Sequence, residues 1–458
     1  MQTSQEIQRY LSDFLSFDHN GAGHDPEWLK PIRHAAIGKF SELGFPTIHQ
    51  EDWRFTNILP LTKTHFRHAL RSSLPNVSRR KIDRHILPEC SKSILVFING
   101  HFSKELSDTS GLPKEVIAGG LADSFSTHDA IVQRYLGKHF PIQGHPFAAL
   151  NTAFIHDGAF VYVHEGANAG APIQLLFISV SLDPDHSVAY PRNLIIAGPR
   201  SAATFVESYV SLSSDVYFTN NVTEVLIGNG AAVDFVKIQN ESDKAFHVGA
   251  MQARQENRSR FTVFSLALGA AIARNDINIA IDGEDCETML DGLYLPSGDQ
   301  LIDHHTFIDH TKPNCSSREI FKGIITGNSR SVFNGKILVR KEAQKTDSKQ
   351  TNKNLLLSDT ATVDTKPQLE IFADDVKCTH GATVGGLDAP SLFYVKSRGI
   401  SEEAGKALLT VGFAGEATNY INNEALRKHV DALVIERLQE KVVKTSLPEI
   451  VHSETKSL

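Results

Sequence analysis

Cys378 and His380 are the two residues of this chain whose types and spacing most directly suggest chemistry. A thiolate sulfur and an imidazole nitrogen are both competent donors to a transition metal or to the edge of a cluster. If the residues around them form a strand, side chains two apart leave the same face, roughly 6–7 Å from each other. Two donors do not close a four-ligand site. The pair therefore needs further groups, from elsewhere in the chain or from another chain. The ammonium of the adjacent Lys377 is expected to favour the thiolate.

A second concentration of donors is Asp303-His304-His305-Thr306-Phe307-Ile308-Asp309-His310. On a strand, His304, Thr306, Ile308 and His310 would share one face and His305 would take the other. A metal site and a strand edge carrying hydrogen-bonded histidines both fit that pattern. The remaining cysteines read as structural. Cys286 sits among Asp282, Glu284, Asp285 and Glu287, whose charges would raise a thiol they faced. Cys315 follows Pro313 and Cys90 follows Pro88 in loop-like stretches.

Several chemistries are excluded by missing motifs. No Gly-x-x-x-x-Gly-Lys-Ser/Thr occurs; near Gly335-Lys336 the first-glycine position is Arg330 and Ile337 replaces the hydroxyl. Without that motif the chain is not expected to hydrolyse nucleotides on a P-loop, and neither a Gly-x-Ser-x-Gly elbow nor His-Glu-x-x-His is present. The net charge of −7 argues against a nucleic-acid binder. No apolar run approaches the ~20 residues needed to cross a bilayer. The first ten residues lack the basic start and apolar centre of a signal peptide, so a cytoplasmic location is expected. Four scattered cysteines form no disulfide framework.

The elements that must position these residues change character along the chain. Ile7, Leu11, Phe14 and Leu15 recur at helical spacing, a break is expected at Asn20-Gly21-Ala22-Gly23, and a second helix follows Asp25-Pro26. Residues 51–65 read as extended, and residues 71–90 as a polar loop. From about 150 to 385 helical period vanishes. Short β-rich runs recur there, such as 160–163, 173–180, 193–198, 203–209, 222–228 and 231–238, punctuated by small residues as at Gly228-Asn229-Gly230-Ala231. No long helix interrupts them, which excludes a βαβ sheet. A sandwich or barrel and a β-helical solenoid both remain, and tight corners between short strands suit the solenoid. The polar stretch 340–354 reads either as a solvated loop or rung edge or as a contact surface. From 388 helices return: Asp388 and Ser401 are suited to cap two of them. Near 423–443 a stripe of Leu426, Val430, Leu433, Val434, Leu438 and Val442 either packs on the preceding helix or docks a partner. The expected division is a helical and extended region over 1–90, a β core over 91–385 and a helical domain over 386–458.

The runs Phe333-Asn334-Gly335-Lys336-Ile337, Lys345-Thr346-Asp347, Thr351-Asn352-Lys353-Asn354, Asp364-Thr365-Lys366-Pro367-Gln368-Leu369-Glu370-Ile371 and Asp374-Asp375-Val376-Lys377-Cys378-Thr379-His380-Gly381-Ala382-Thr383-Val384-Gly385 resemble the SufB/SufD family of iron–sulfur cluster assembly scaffold proteins. Ser397-Arg398-Gly399-Ile400 and the N-terminal Glu51-Asp52-Trp53-Arg54-Phe55-Thr56 are similar to that family as well. The specific match covers roughly 300–400; the middle is similar in texture only. The resemblance implies a mainly β fold, a right-handed parallel β-helix between an N-terminal helical region and a C-terminal helical domain. It implies a non-catalytic scaffold subunit that pairs with SufB through the β-helices and binds the ATPase SufC through the C-terminal helices. Nucleotide-driven motion would then open a cluster-forming interface. His380, and beside it Cys378, match family positions implicated in holding the nascent iron–sulfur cluster, transiently and shared with SufB. No cluster is expected in the isolated chain, and whether it then forms a homodimer stays open. SufB-type chains resemble the run but lack this Cys-x-His, which favours the branch that pairs with SufB. Two other classes stay open at this point: a β-helix carbohydrate-active enzyme, and a passive heterodimerisation module in which Cys378 and His380 only pack.

Overall fold

The computed structural model describes residues 5–20, 25–71, 74–140, 142–182 and 186–441. The N-terminal helices are α1 (Gln5–Asn20) and α2 (Leu29–Leu43), with the expected glycine break at 21–23 outside the described residues. The segment read as extended is instead mostly turned. Glu51–Trp53 is a 3-10 turn and α3 spans Leu59–Lys63, before a short β1 (Phe66–His68). The expected polar loop also contains helical turns, α4 (Arg79–Ile82) and the 3-10 turns Asp83–His85 and Pro88–Cys90. Buried Trp53, Leu61 and Ile82 anchor these segments, a tertiary effect that local composition does not reveal.

Next come β2 (Ile94–Ile98), β3 (His101–Phe102) and β4 (Val116–Gly120), then α5 (Leu121–Thr127), α6 (Asp129–Tyr135) and α7 (Pro146–Ala153). From there the chain winds as strands. These are β5 (Ala159–Val163), β6 (Ile173–Ser179), β7 (His186–Ala189), β8 (Arg192–Ala197), β9 (Ala202–Ser211), β10 (Phe218–Ile227) and β11 (Ala232–Asn240). They continue as β12 (Phe246–Gln255), β13 (Arg260–Ala267), β14 (Ile272–Ile281), β15 (Glu287–Tyr294), β16 (Leu301–His310) and β17 (Ser316–Ile325). The last four are β18 (Arg330–Val339), β19 (Asp347–Leu356), β20 (Thr362–Ile371) and β21 (Lys377–Gly385).

Alternate strands fall into two sheets. One runs β20-β18-β16-β14-β12-β10-β8-β5-β4 and the other β21-β19-β17-β15-β13-β11-β9-β6-β2-β3. Pairing along both is parallel, except at the N-terminal end where β4 on β5 and β3 on β2 are antiparallel. This is a parallel β-helix, and the sandwich alternative is ruled out. Each turn stacks on the last in register, so Ile279, Ile308 and Ile337 form one fully buried internal column. Burying each of these side chains stabilises the fold by roughly 1.5–3 kcal/mol. The polar stretch 340–354 is a corner over 340–346 followed by a rung, β19, whose Ser348, Gln350, Asn352 and Asn354 all point inward and are buried.

The corners explain the small and turn-forming residues. Arg200, Gly230, Arg258, Asp285, Asn314 and Lys345 each take positive φ at one stacked corner. Each also donates its backbone N–H to a carbonyl of the following turn, as from Gly230 to Asn257 at 2.8 Å. At the opposite corner, a Cβ on Gly327 would come within 2.9 Å of the Gly298 backbone, so these turns stack glycine on glycine.

The C-terminal helices are α8 (Ala389–Ser397), α9 (Glu402–Thr418) and α10 (Glu424–Lys441). Asp388 accepts from the Ser391 N–H and Ser401 from the Ala404 N–H, the caps expected from sequence. The α10 stripe packs on the preceding helix, as one reading of the sequence expected, and on the solenoid as well. Leu426, Val430, Val434 and Leu438 share one buried cluster with Ala414 and Ala417 of α9 and with Val206, Val236, Ile238, Phe264 and Leu266 of the solenoid's outer face. Those outward positions form an apolar strip along successive turns, and the helix covers it. Leu433 is half-buried there; Val442 lies outside the described residues.

Inside, large residues stack over small ones. An added Cβ on Gly292 would sit 2.2 Å from the Phe321 ring, and one on Gly323 2.2 Å from that of Tyr294. Gly292→Val is therefore expected to destabilise the chain by about 1–3 kcal/mol. The measurement is the urea midpoint, and an unshifted midpoint would contradict this packing.

Candidate functional site

Among the described residues, strand β21 pairs with β19 on one side only, and β20 pairs only with β18. Both terminate their sheets at the same end of the solenoid, and β21 is exposed along most of its length. Register places Cys378 beside Ser348 and Ser317, and His380 beside Gln350 and Glu319. Those four neighbours are buried inside the solenoid. Cys378 and His380 thus share one face, the interior one, at the open mouth of the last turn.

Cys378 is half-buried and packs against the internal core. Burial pushes its thiol up, and the Asp347 carboxylate adds to that, while the Ser348 backbone opposes it. The expected help from Lys377 does not materialise. Consecutive strand residues face opposite sides, so the ammonium leaves from the outer face. His380 is exposed.

Behind this pair lies a polar interior that the strand pattern alone did not disclose. Ser317 and Ser348 join hydroxyl to hydroxyl at 2.7 Å, and the Ser317 hydroxyl meets His310 Nε2 at 2.9 Å. Glu319 accepts from Thr306 Oγ1 at 2.5 Å through Oε1 and from Gln350 Nε2 at 2.7 Å through Oε2. Burial pushes the Glu319 carboxyl up to about 7, against the lowering effect of those two hydrogen bonds. The Oε1 atom of Gln350 is buried without a partner. The one sequence signal for this column was the alternation of Ser348, Gln350, Asn352 and Asn354, a strand pattern written in polar residues.

The 303–310 cluster divides between two faces, as its spacing predicts for a strand, but it is not at a strand edge. His304 points inward, stacked between Tyr294 and Phe321 with ring centroids 5.2 Å away in each case. Neither ring nitrogen has a partner, and burial lowers its pKa to about 3. His305 points outward. It meets Asp303 at 3.2 Å, and Arg274 meets the same carboxylate at 3.0 Å. Burial alone would raise the Asp303 carboxyl, but His305 and Arg274 hold it below the usual range. Among the described residues no three His, Cys, Asp or Glu side chains are grouped to hold a metal ion.

These outward groups anchor the N-terminal segment. Thr56 donates to Asp303 at 2.6 Å, Arg274 donates to the Asp52 carbonyl at 2.6 Å, and its guanidinium lies 3.8 Å from the Trp53 ring centroid. Glu51 pairs with Lys366 of β20 at 2.5 Å, tying that segment to the last turn. A cleft of ≈ 530 Å³ on this face brings Asp276 and Asp309 together with His305 and Lys336. Both carboxylates are committed, Asp276 to Arg274 and Asp309 to Arg340, so neither is a free acid or base.

The other three cysteines are buried and unbridged. Cys286 and Cys315 occupy adjacent turns. Cys286 Sγ donates to the Glu256 carbonyl at 3.1 Å and Cys315 Sγ to that of Gly283 at 3.2 Å, and the proximity of the two thiols lowers Cys286 and, with burial, raises Cys315. The neighbouring thiol, rather than the acids beside it in sequence, sets the Cys286 environment. Burial raises Cys90 to about 12.

The described geometry coincides with strong sequence similarity. A family model for the SufBD core domain of SUF-system FeS cluster assembly matches residues 179–413, and one for the SufBD N-terminal region matches 4–175. An iron–sulfur cluster assembly SufBD family protein of Synechocystis is 33% identical over 408 residues, 87% of this chain and 89% of that protein. The iron–sulfur cluster assembly protein SufD of Escherichia coli is 31% identical over 397 residues, 86% of this chain and 90% of its own length. SufD of Bacillus subtilis is 28% identical over 446 residues, 94% of this chain and 97% of its own.

The buried histidines make stability pH-dependent. Folded His304 stays neutral down to about pH 3 and His310 to about pH 4, whereas an unfolded histidine takes up a proton near 6.5. Their contribution is complete above about pH 6.5 and is lost as pH falls towards those values. Urea midpoints are expected to drop between pH 7 and 5. His304→Leu should shallow that decline by on the order of 1 kcal/mol per pH unit; an unchanged slope would contradict the assignment.

Proposed function

Because the chain belongs to the SufBD family of iron–sulfur cluster assembly proteins, we propose that it is a non-catalytic scaffold subunit that completes a cluster-forming site by pairing with SufB. The observation that carries this reading is the open last turn. Two parallel sheets end together on unpaired strands, with Cys378 and His380 on the interior face between them. Unpaired strand edges recruit further strands. A partner that ends in a similar solenoid turn would pair with both edges at once and enclose the two side chains.

Details of the edges suit such a partner. The Thr362 N–H donates to the Ser329 carbonyl just before β18, so by alternation the odd-numbered positions of β20 face the free edge. Pro367, which has no N–H, is one of them, the placement proline requires in a sheet. On β21 the Lys377 N–H donates to the Thr346 carbonyl just before β19, which directs the N–H groups of residues 378, 380, 382 and 384 to the free edge.

In this reading the nascent cluster is cargo. His380, exposed at the mouth, offers a nitrogen donor, and a thiolate comes from SufB. Cys378 is the second candidate, though burial and Asp347 keep it as a thiol at neutral pH. The ATPase SufC binds the C-terminal helices. There Phe393, Tyr394 and Leu408 remain 74%, 59% and 42% exposed, while the α10 stripe is already covered by the solenoid. The SufC cycle then drives opening of the enclosed site. Isolated, the chain presents the same two edges to a second copy, so a homodimer is the expected substitute.

Two variants test this. His380→Ala should leave the complex with SufB and SufC intact but lower cluster assembly in cells at least tenfold, read as iron and sulfide in the anaerobically purified complex. Normal assembly would remove the ligand role. Ala382→Pro takes away one free-edge N–H without breaking the β19 ladder. Co-purification with SufB should be lost while the melting temperature of the isolated chain is kept; retained co-purification would refute pairing through β21.

A further inference from the structure

The interior column behind His380 has one unfinished hydrogen bond. Glu319, fully buried, receives Thr306 Oγ1 and Gln350 Nε2, which commits the donor end of the Gln350 amide. The acceptor end, Oε1, is buried and unpartnered, and leaving such a group unsatisfied costs about 1–3 kcal/mol. The next residue in register on that column is His380, one strand spacing of about 4.8 Å away, exposed and free to change rotamer.

We propose that Gln350, braced by Glu319, is a positioning residue for His380. Its Oε1 accepts the N–H of one imidazole nitrogen, which fixes the tautomer and turns the other nitrogen's lone pair towards the incoming metal. A ligating histidine commonly has its second nitrogen held in this way, and removing the holder typically costs 10–100-fold in affinity or activity. Thr306 and Glu319 fix the amide orientation, so the column works as one unit. Its role in assembly rests on the reading of His380 as a ligand, whereas the contact does not.

The test uses the full-length chain labelled with ¹⁵N-histidine, the His380 signals being identified by their loss in His380→Ala. Two-bond couplings in the wild type should report a single dominant tautomer. Gln350→Met, close in volume but without an acceptor, should convert it to a mixture and lower cluster assembly at least tenfold in cells with SufB and SufC. Glu319→Gln, which keeps an acceptor for Gln350 Nε2, should stay near wild type, and Glu319→Leu should behave like Gln350→Met. Unchanged ring signals in Gln350→Met would overturn the contact. If that variant does not fold, an equal tautomer mixture in the wild-type chain overturns it instead. Normal assembly in His380→Ala alongside a disturbed ring in Gln350→Met would overturn the ligand reading while leaving the contact in place.

Discussion

Every backbone group in a parallel β-helix is satisfied by the turn above and the turn below, and the remaining features of this chain depend on that constraint. It requires in-register stacking, so a column of side chains inherits its environment from its neighbours on adjacent turns rather than from its neighbours in sequence. It also requires that something be done at the ends. The N-terminal end is closed by the antiparallel strands β3 and β4. The far end stops on β20 and β21, whose outer edges have no partner among the described residues.

Stacking also accounts for an interior that is part apolar and part polar. The middle turns already bury Glu207, Lys237, Glu241 and His247 beside apolar columns. Towards the open end the columns Phe261–Thr288 and Val263–Leu290 continue as Ser317–Ser348–Cys378 and Glu319–Gln350–His380. Buried polar groups are costly unless hydrogen-bonded, and most of these are, through Thr306, His310 and one another. The polarity therefore leads to the mouth of the solenoid, where the two donors emerge. The N-terminal segment supports this end from outside: Arg274 links Trp53, the Asp52 carbonyl and Asp303, and Glu51 reaches Lys366 on β20.

Much of the fold was legible in the sequence because small corner residues and alternating apolar strands carry local signals. The run at 203–209 falls within β9, and those at 193–198 and 222–228 match β8 and β10 but run one glycine past their ends. The caps of α8 and α9 were readable from Asp388 and Ser401. Misreadings occurred where a long-range contact overrides the local pattern. Trp53 is drawn into a turn by the core and by Arg274. Polar composition over 340–354 left loop and rung open, and only stacking selects β19; beside α9, the α10 stripe also covers an apolar strip assembled from strands dozens to hundreds of residues away.

Sequence by itself determined the donor pair, its two-residue spacing, the family to which the run belongs and the insufficiency of two ligands. These are properties of residue type and of the period-two strand, which need no coordinates. Tertiary structure alone decided that the shared face is the interior one, that Lys377 leaves from the other side, and that Glu319 and Gln350 stand behind His380. The physical reason is register. Residues 319, 350 and 380 become neighbours only when successive turns stack, and nothing local to any of them encodes that proximity.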